Sequence, residues 1–494
     1  MTKDSSIRKH QRSHSGCDRC KRRRQKCDES RPICGRCSKV GVACEYSINL
    51  RWGGRTFDRS RFGDCLKGGA RRVSGDKHEF VYTGSFSPQE VSGPIPTTIQ
   101  AFPSLSMSEE RLLFHFTSEA SRVTCCSPHV QAELCSLIVP MAVESPALMN
   151  ATLSWAALHS ISSRGRIPGR TMAESNQIIA NFKTKSIENL RKELQAPNPC
   201  SIDALLATVR TLCQCEIHSG SDQLSTWRVH IRGAKALMNM IEHSRTSSSA
   251  PPRLLSRWYA SLDSLSLLAP SDDSNGDSNR DESIESSEDP GVYLDDYNGY
   301  STDLSRLLGR IGKAKAARRR EITVSEQQFC SEADFLEEAI FHIMERDNSA
   351  PPSFYPGVLE KLSPQAVQDY AWCNQAYQQT ALLHIRRRLR RLPSHSQQIQ
   401  DSVKIIIECV RSIAPSYGLS PTIVLTTPLF TAGCEALGED RVAIKQLLTQ
   451  LYESLKIRNI KLALEVLENY WENSGVDEDV EIVLRRQNWD FIPY

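Results

Sequence analysis

From residue 106 onward, apolar positions recur at intervals of three and four, the spacing of a helix with one buried face. The first such run is SMSEERLLFHF. Ser106 stands where an N-cap belongs, Glu109 follows three residues on as the partner of a capping box, and Leu112, Leu113 and Phe116 share a face. SPALMNATLSWAALHSI (145–161) places a proline at the first helical position and is apolar nearly all round, which predicts a buried helix. In STWRVHIRGAKALMNMIEH (225–243) the period continues through Trp227, Ile231, Ala234, Met238 and Ile241. It continues again through Val403, Ile406, Ile407, Val410 and Ile413. No alternating strands and no strand–helix repeat intervene, so residues 105–494 read as an all-helical body.

The pattern fails toward the N-terminus. Residues 47–104 contain Gly53, Gly54, Gly68 and Gly69, are proline-bearing toward Pro103, and hold no heptad repeat. They read as a linker, with FVYTGSFS (80–87) extended. Residues 16–46 offer only Ile33, Val40, Val42, Ala43 and Tyr46 as apolar material. Thirty residues lose about 1–2 kcal/mol each in backbone entropy on ordering, which so few apolar side chains cannot offset.

Length and charge sharpen this division. At 494 residues, with 39% hydrophobic and 24% charged, the chain is too long for one core and predicts two to four domains. Thirteen Lys/Arg against five Asp/Glu give residues 1–50 a net +8, so with +3 overall the remainder carries −5. A basic head on a mildly acidic body suits a polyanionic partner. No apolar run approaches the ~18 residues that span a bilayer. LCSLIVPMAV (134–143) is short and broken by Pro140, and MTKDSSIRKH lacks a signal-peptide core. The expectation is an intracellular chain with reduced thiols and no membrane partner.

In that setting GCDRCKRRRQKCDESRPICGRCSKVGVACEY (16–46) reads as a metal site. Cys17, Cys20, Cys27, Cys34, Cys37 and Cys44 form two copies of C-x2-C-x6-C joined by six residues. Each C-x2-C can begin a helical turn and present two thiolates to one ion. Six thiolates close two tetrahedral zinc sites only if two are shared; the alternatives are one zinc with two spare thiols, or redox chemistry. A closed site leaves no place for a catalytic water, so the metal is structural and the module folds with it.

Lys21, Arg22, Arg23, Arg24, Gln25 and Lys26 fill the gap between Cys20 and Cys27. Tethered at both ends, this segment can form a short helix facing a DNA major groove, where an arginine fork matches O6 and N7 of guanine. The competing readings are a solvated basic run or a nuclear import signal. His10 and His14 lack a preceding C-x2-C and read, with Arg8, Lys9 and Arg12, as part of a flexible basic arm over residues 1–15.

The stretch resembles the fungal binuclear zinc cluster (Zn2Cys6) transcription regulators at all six cysteines, at the basic run and at Pro32 in the joining loop. The resemblance implies two zinc ions bridged by Cys17 and Cys34. Cys20 and Cys27 complete one ion; Cys37 and Cys44 complete the other. It also implies that Arg23 and Arg24 read a CGG triplet, with arginine where lysine is common, and that Lys21 and Lys26 touch phosphate. SPALMNATLSWAALH, WRVHIRGAKALM and TTPLFTAGCEALGEDR (426–441) look like the fungal-specific transcription factor domain that often follows such a cluster. The expected architecture is therefore a small metal-stabilised zinc cluster domain (16–46) plus a large all-α regulatory domain (105–494).

The expected function is a nuclear, sequence-specific regulator of RNA polymerase II genes that binds double-stranded DNA. A homodimer, the transcription machinery and a small-molecule inducer are the further partners this reading leaves open. The alternative is a ligand-sensing or scaffold helical protein with the cluster as an accessory anchor. An enzyme is not expected, since no Gly-rich phosphate loop, H-E-x-x-H or G-x-S-x-G occurs. The acidic stretch SDDSNGDSNRDESIESSEDP (271–290) reads as a disordered insert. KAKAARRR (313–320) and HIRRRLRR (384–391) read as solvated helix faces, the second burying Leu383, Ile385, Leu389 and Leu392 while its guanidiniums reach water. The cysteines outside the cluster show no second metal spacing and read as buried free thiols.

Overall fold

Two short helices, α1 (Asp18–Arg22) and α2 (Gly35–Val40), each begin directly after a cysteine that serves as N-cap. They belong to the first of two units, Met1–Gln100 and Ala101–Tyr494. The computed structural model describes residues 16–46, 70–72, 80–82, 105–196, 201–220, 227–243, 252–269, 291–319, 325–473, 478–486 and 492–494. The basic arm, the acidic stretch 271–290, Cys65, Cys200 and most of residues 47–104 lie outside these. Within the linker, β1 (Ala70–Arg72) pairs antiparallel with β2 (Phe80–Tyr82), Ala70 opposite Tyr82. The extended reading of FVYTGSFS holds for Phe80–Tyr82, and its pairing with Ala70–Arg72 had no signal in the sequence.

The second unit is helical. It opens with α3 (Met107–His115), whose N-cap Ser106 accepts from the Glu109 N–H while Glu109 Oε2 accepts from the Ser106 N–H at 2.8 Å. Then come α4 (Pro128–Glu144), α5 (Pro146–Arg164) and α6 (Met172–Gln195). The apolar all-round reading of α5 is correct. Its Leu148, Leu153, Trp155 and Ala156 are buried because α3, α4, α6 and α7 (Ile202–Ser219) pack around it. Pro140 does not end α4: it and Ser136, whose carbonyl loses its helical partner, both face solvent, so that carbonyl is open to hydration.

Next are α8 (Trp227–His243), packed on α7, and α9 (Arg253–Leu268), packed on α10 (Thr302–Arg319). Trp227, Ile231, Ala234 and Met238 of α8 are buried as their spacing predicts; the side chain of Ile241 lies outside the described residues. Helix α11 (Glu326–Ser349) precedes α12 (Pro364–His384), which packs on α13 (Gln397–Ser412). Val403, Ile406, Ile407 and Ile413 are buried there, with Val410 at the margin. Finally α14 (Thr426–Glu435) is enclosed by α12, α13, α15 (Glu439–Leu455) and α16 (Arg458–Asn473), and α17 (Val480–Arg486) follows.

The basic runs overturn the solvated-face expectation. A π-helical turn at Ile385–Leu389 widens the end of α12. Leu383, Ile385 and Leu389 are buried as expected and Leu392 is half-buried, but the arginines between them also meet protein. Arg386 Nε lies 2.8 Å from Glu337, Arg387 Nε 2.6 Å from Glu435, and Arg388 Nη1 2.8 Å from Asp479. In the first run Lys315 pairs with Glu481, which also holds Arg319 Nη1 at 3.1 Å. These acids come from α11, α14 and the α17 region. Burial alone would raise the Glu481 carboxyl, but Lys315 and Arg388 override it and hold it below the usual carboxylate range.

Candidate metal centre and nucleic-acid interface

Cys17 and Cys34 take extended N-cap conformations, with ψ of 156° and 149°. Each turn that follows carries the second cysteine of its pair, Cys20 or Cys37, back beside the first. The two half-modules then repeat one backbone path. Gln25 N–H donates to the Cys20 carbonyl at 2.9 Å, and Val42 N–H to the Cys37 carbonyl at 3.3 Å. Between these bonds sit Arg24 and Gly41, both left-handed, at φ of 53° and 63°.

This repeat gathers the sulfurs. Cys17, Cys20, Cys27 and Cys34 form one group, and Cys17, Cys34, Cys37 and Cys44 a second, with all sulfurs of a group within 4.8 Å of one another. Cys17 Sγ lies 3.8 Å from Cys34 Sγ and 3.7 Å from Cys37 Sγ, and Cys20 Sγ lies 3.9 Å from Cys34 Sγ. A tetrahedral zinc with Zn–S of about 2.3 Å sets neighbouring sulfurs about 3.8 Å apart. The six cysteines therefore fit two ions that share Cys17 and Cys34. Burial, with the neighbouring thiols adding to it, pushes the Cys20 and Cys37 thiols up. Divalent cations reverse this by stabilising the thiolates.

Apolar packing contributes little to the module. Ile33, Val40 and Val42 are 50%, 59% and 38% exposed, while Cys17, Cys34 and Cys37 are fully buried. Polar ties supplement the sulfurs. Asp28 accepts the Gly35 N–H at 2.8 Å, joining the end of one half to the start of the other helix. Tyr46 OH donates to the Ser30 carbonyl at 2.9 Å, with the Arg31 guanidinium 5.0 Å from its ring centre. The sequence reading missed Asp28 and counted Tyr46 only as apolar, because nothing local marks their distant partners.

Lys21, Arg22, Arg23, Arg24, Gln25 and Lys26 are all exposed and adjacent. One detail differs from the expected helix between Cys20 and Cys27. Helix α1 starts earlier, at Asp18, and ends at Arg22; Arg23 is its C-cap and Arg24 turns left-handed. The tether to Cys27, five residues after Arg22, forces the chain out of the helix at that point. Arg23 and Arg24 thus stand on the turn after the helix.

The second unit holds a cavity with about 600 Å³ between its walls, its mouth included. Leu265, Leu268 and Phe430 line its apolar side, and His384, Arg388 and Glu435 its polar side. Elsewhere most described thiols are buried as expected, but Cys330, on the outer face of α11, is exposed and Cys135 is half-buried. Cys213 and Cys215 on α7 are both buried, and burial raises both.

Comparison with known proteins gives two family matches. The fungal Zn(2)-Cys(6) binuclear cluster domain matches residues 15–53, and the fungal specific transcription factor domain matches residues 111–492. The transcriptional regulatory protein pro1 of Neurospora crassa is 32% identical over 99 residues, 20% of this chain and 12% of that protein. A Zn(2)-C6 fungal-type transcription factor of Gibberella zeae is 55% identical over 40 residues, 8% of either chain. The transcriptional activator protein UGA3 of Saccharomyces cerevisiae is 24% identical over 256 residues, 47% of this chain and 45% of that protein. The matched stretches thus span less than half of each relative. No solved structure matches.

Proposed function

Because the chain belongs to the fungal Zn(2)-Cys(6) transcription factors, a family of DNA-binding regulators whose cysteine domain binds two zinc ions, we propose that it reads CGG-type triplets at RNA polymerase II genes in the nucleus. The observation that carries this reading is the exposed run Lys21–Lys26, fixed at one end by Cys20 and at the other by Cys27. In this reading Cys17 and Cys34 bridge the ions, Cys20 and Cys27 complete one, and Cys37 and Cys44 complete the other. Arg23 and Arg24 donate to guanine edges from the turn after α1. Lys21, Arg22 and Lys26 bind phosphate and set the module's register.

Selection of duplexes from a random pool by the zinc-loaded full chain tests this. The expected outcome is enrichment of CGG triplets that disappears when a chelator strips the zinc. Enrichment of an unrelated sequence, or none, would remove the CGG assignment. A second reading, a ligand-sensing body anchored by the cluster, draws on the cavity beside His384 and Arg388. Native mass spectrometry of the full chain tests it: a retained small molecule supports that reading, and a bare chain counts against it.

A further inference from the structure

Arg19 lies between Cys17 and Cys20, outside the basic run, and the proposed DNA contacts leave it without a role. Its side chain is partly buried, and Nη1 donates to Cys37 Sγ at 3.8 Å, crossing from α1 to α2. Arg36 holds the matching place in the second half-module and is exposed. The repeat in backbone therefore does not extend to these two arginines.

Three of the other sulfurs are served by the backbone. Cys27 Sγ accepts the Cys17 and Glu29 N–H groups at 3.4 and 3.5 Å, and Cys44 Sγ accepts the Cys34 N–H at 3.3 Å. Cys34 Sγ accepts the Cys37 N–H at 3.4 Å. Among the described residues, the N–H that reaches Cys37 is the one from Arg19. Charge balance makes this contact consequential. Two divalent ions cannot neutralise six thiolates, so the loaded cluster keeps a net negative charge that a fixed guanidinium stabilises.

We propose that Arg19 is a positioning residue of the metal centre, holding the Cys37 thiolate on its ion, and is not a phosphate contact. This rests on the two-zinc reading given above. Outer partners of metal ligands commonly shift metal affinity by about 10–100-fold when removed.

The test is zinc release from the full chain to a chromophoric chelator, alongside DNA titrations at several salt concentrations. Arg19→Gln is expected to release zinc about tenfold faster. Arg19→Lys should fall between it and the parent, since an ammonium keeps the charge but loses the planar fork. Arg36→Gln should match the parent. The salt slope of DNA binding should be the same for Arg19→Gln and the parent, because no phosphate contact is lost. Unchanged release with a slope lower by about one unit would make Arg19 a phosphate contact and overturn the proposal. Equal acceleration by Arg36→Gln would overturn it too, as a general charge effect. A parent chain without two zinc ions would instead remove the cluster reading beneath it, and the proposal with it.

Discussion

Arg24 and Gly41 occupy the same place in the two half-modules, and each has positive φ. Glycine adopts that conformation freely, whereas a side chain there costs about 1 kcal/mol. Arginine at the strained position is accounted for if its guanidinium works in DNA reading. Arg24→Gly should therefore stabilise the zinc-loaded module by about 1 kcal/mol in denaturant titrations. It should also weaken specific binding by about 1–3 kcal/mol. Loss of stability in Arg24→Gly would show that the side chain holds the turn. At this scale the cysteines were legible because zinc fixes the number and spacing of its ligands. Arg19, Asp28 and Tyr46 were not, because each acts on a partner 16 to 18 or, for Asp28, 7 residues away that only the folded module brings close.

Helix starts were readable where the cap and its partner lie within four residues, as at Ser106 with Glu109 and at Ser145 with Pro146. The arginine run after α12 was not, because its partners Glu337, Glu435 and Asp479 come from elements distant in sequence. Local pattern registers a charge but not the buried acid that meets it. The energetic consequence is large. Glu435 forms an ion pair with Arg387, accepts from Ser394 Oγ at 2.6 Å, and is buried. Removing one partner of a buried pair strands the other, so Glu435→Ala should cost about 3–5 kcal/mol. Arg310→Ala, which breaks the exposed pair with Glu332, should cost less than about 1 kcal/mol. Comparable losses for both variants in urea titrations would mean that burial at Glu435 has been misjudged.

Across the whole molecule, an all-helical body and a separate metal module followed from periodicity and cysteine count, while the cavity and the histidines set into the body, His159 and His218 buried and His384 half-buried, did not. His159, His218 and His384 are each pushed down to about 3, chiefly by burial, with nearby cationic or histidine side chains adding to it. His159 Nδ1 also lies 3.0 Å from His115 Nε2. Unfolding frees these rings to titrate near about 6.5. Their contribution is therefore intact above that pH and is lost as pH falls toward 3, each adding up to about 1.4 kcal/mol per pH unit. The body's melting temperature should drop between pH 7 and pH 5, and less so in His159→Phe; an unchanged pH dependence in that variant would exclude His159 as a source. The central claim, that a two-zinc module reads sequence through the turn after α1, is tested most directly by one comparison. CGG-bearing and scrambled duplexes are titrated with the full chain and with its Arg23→Ala, Arg24→Ala, Lys21→Ala and Lys26→Ala variants at several salt concentrations. The two arginine variants should lose about 1–3 kcal/mol on the CGG duplex alone, while the two lysine variants weaken on both and lower the salt slope by about one unit. Equal losses for all four variants on both duplexes would contradict the account, leaving the run as an electrostatic clamp and placing sequence reading elsewhere in the chain.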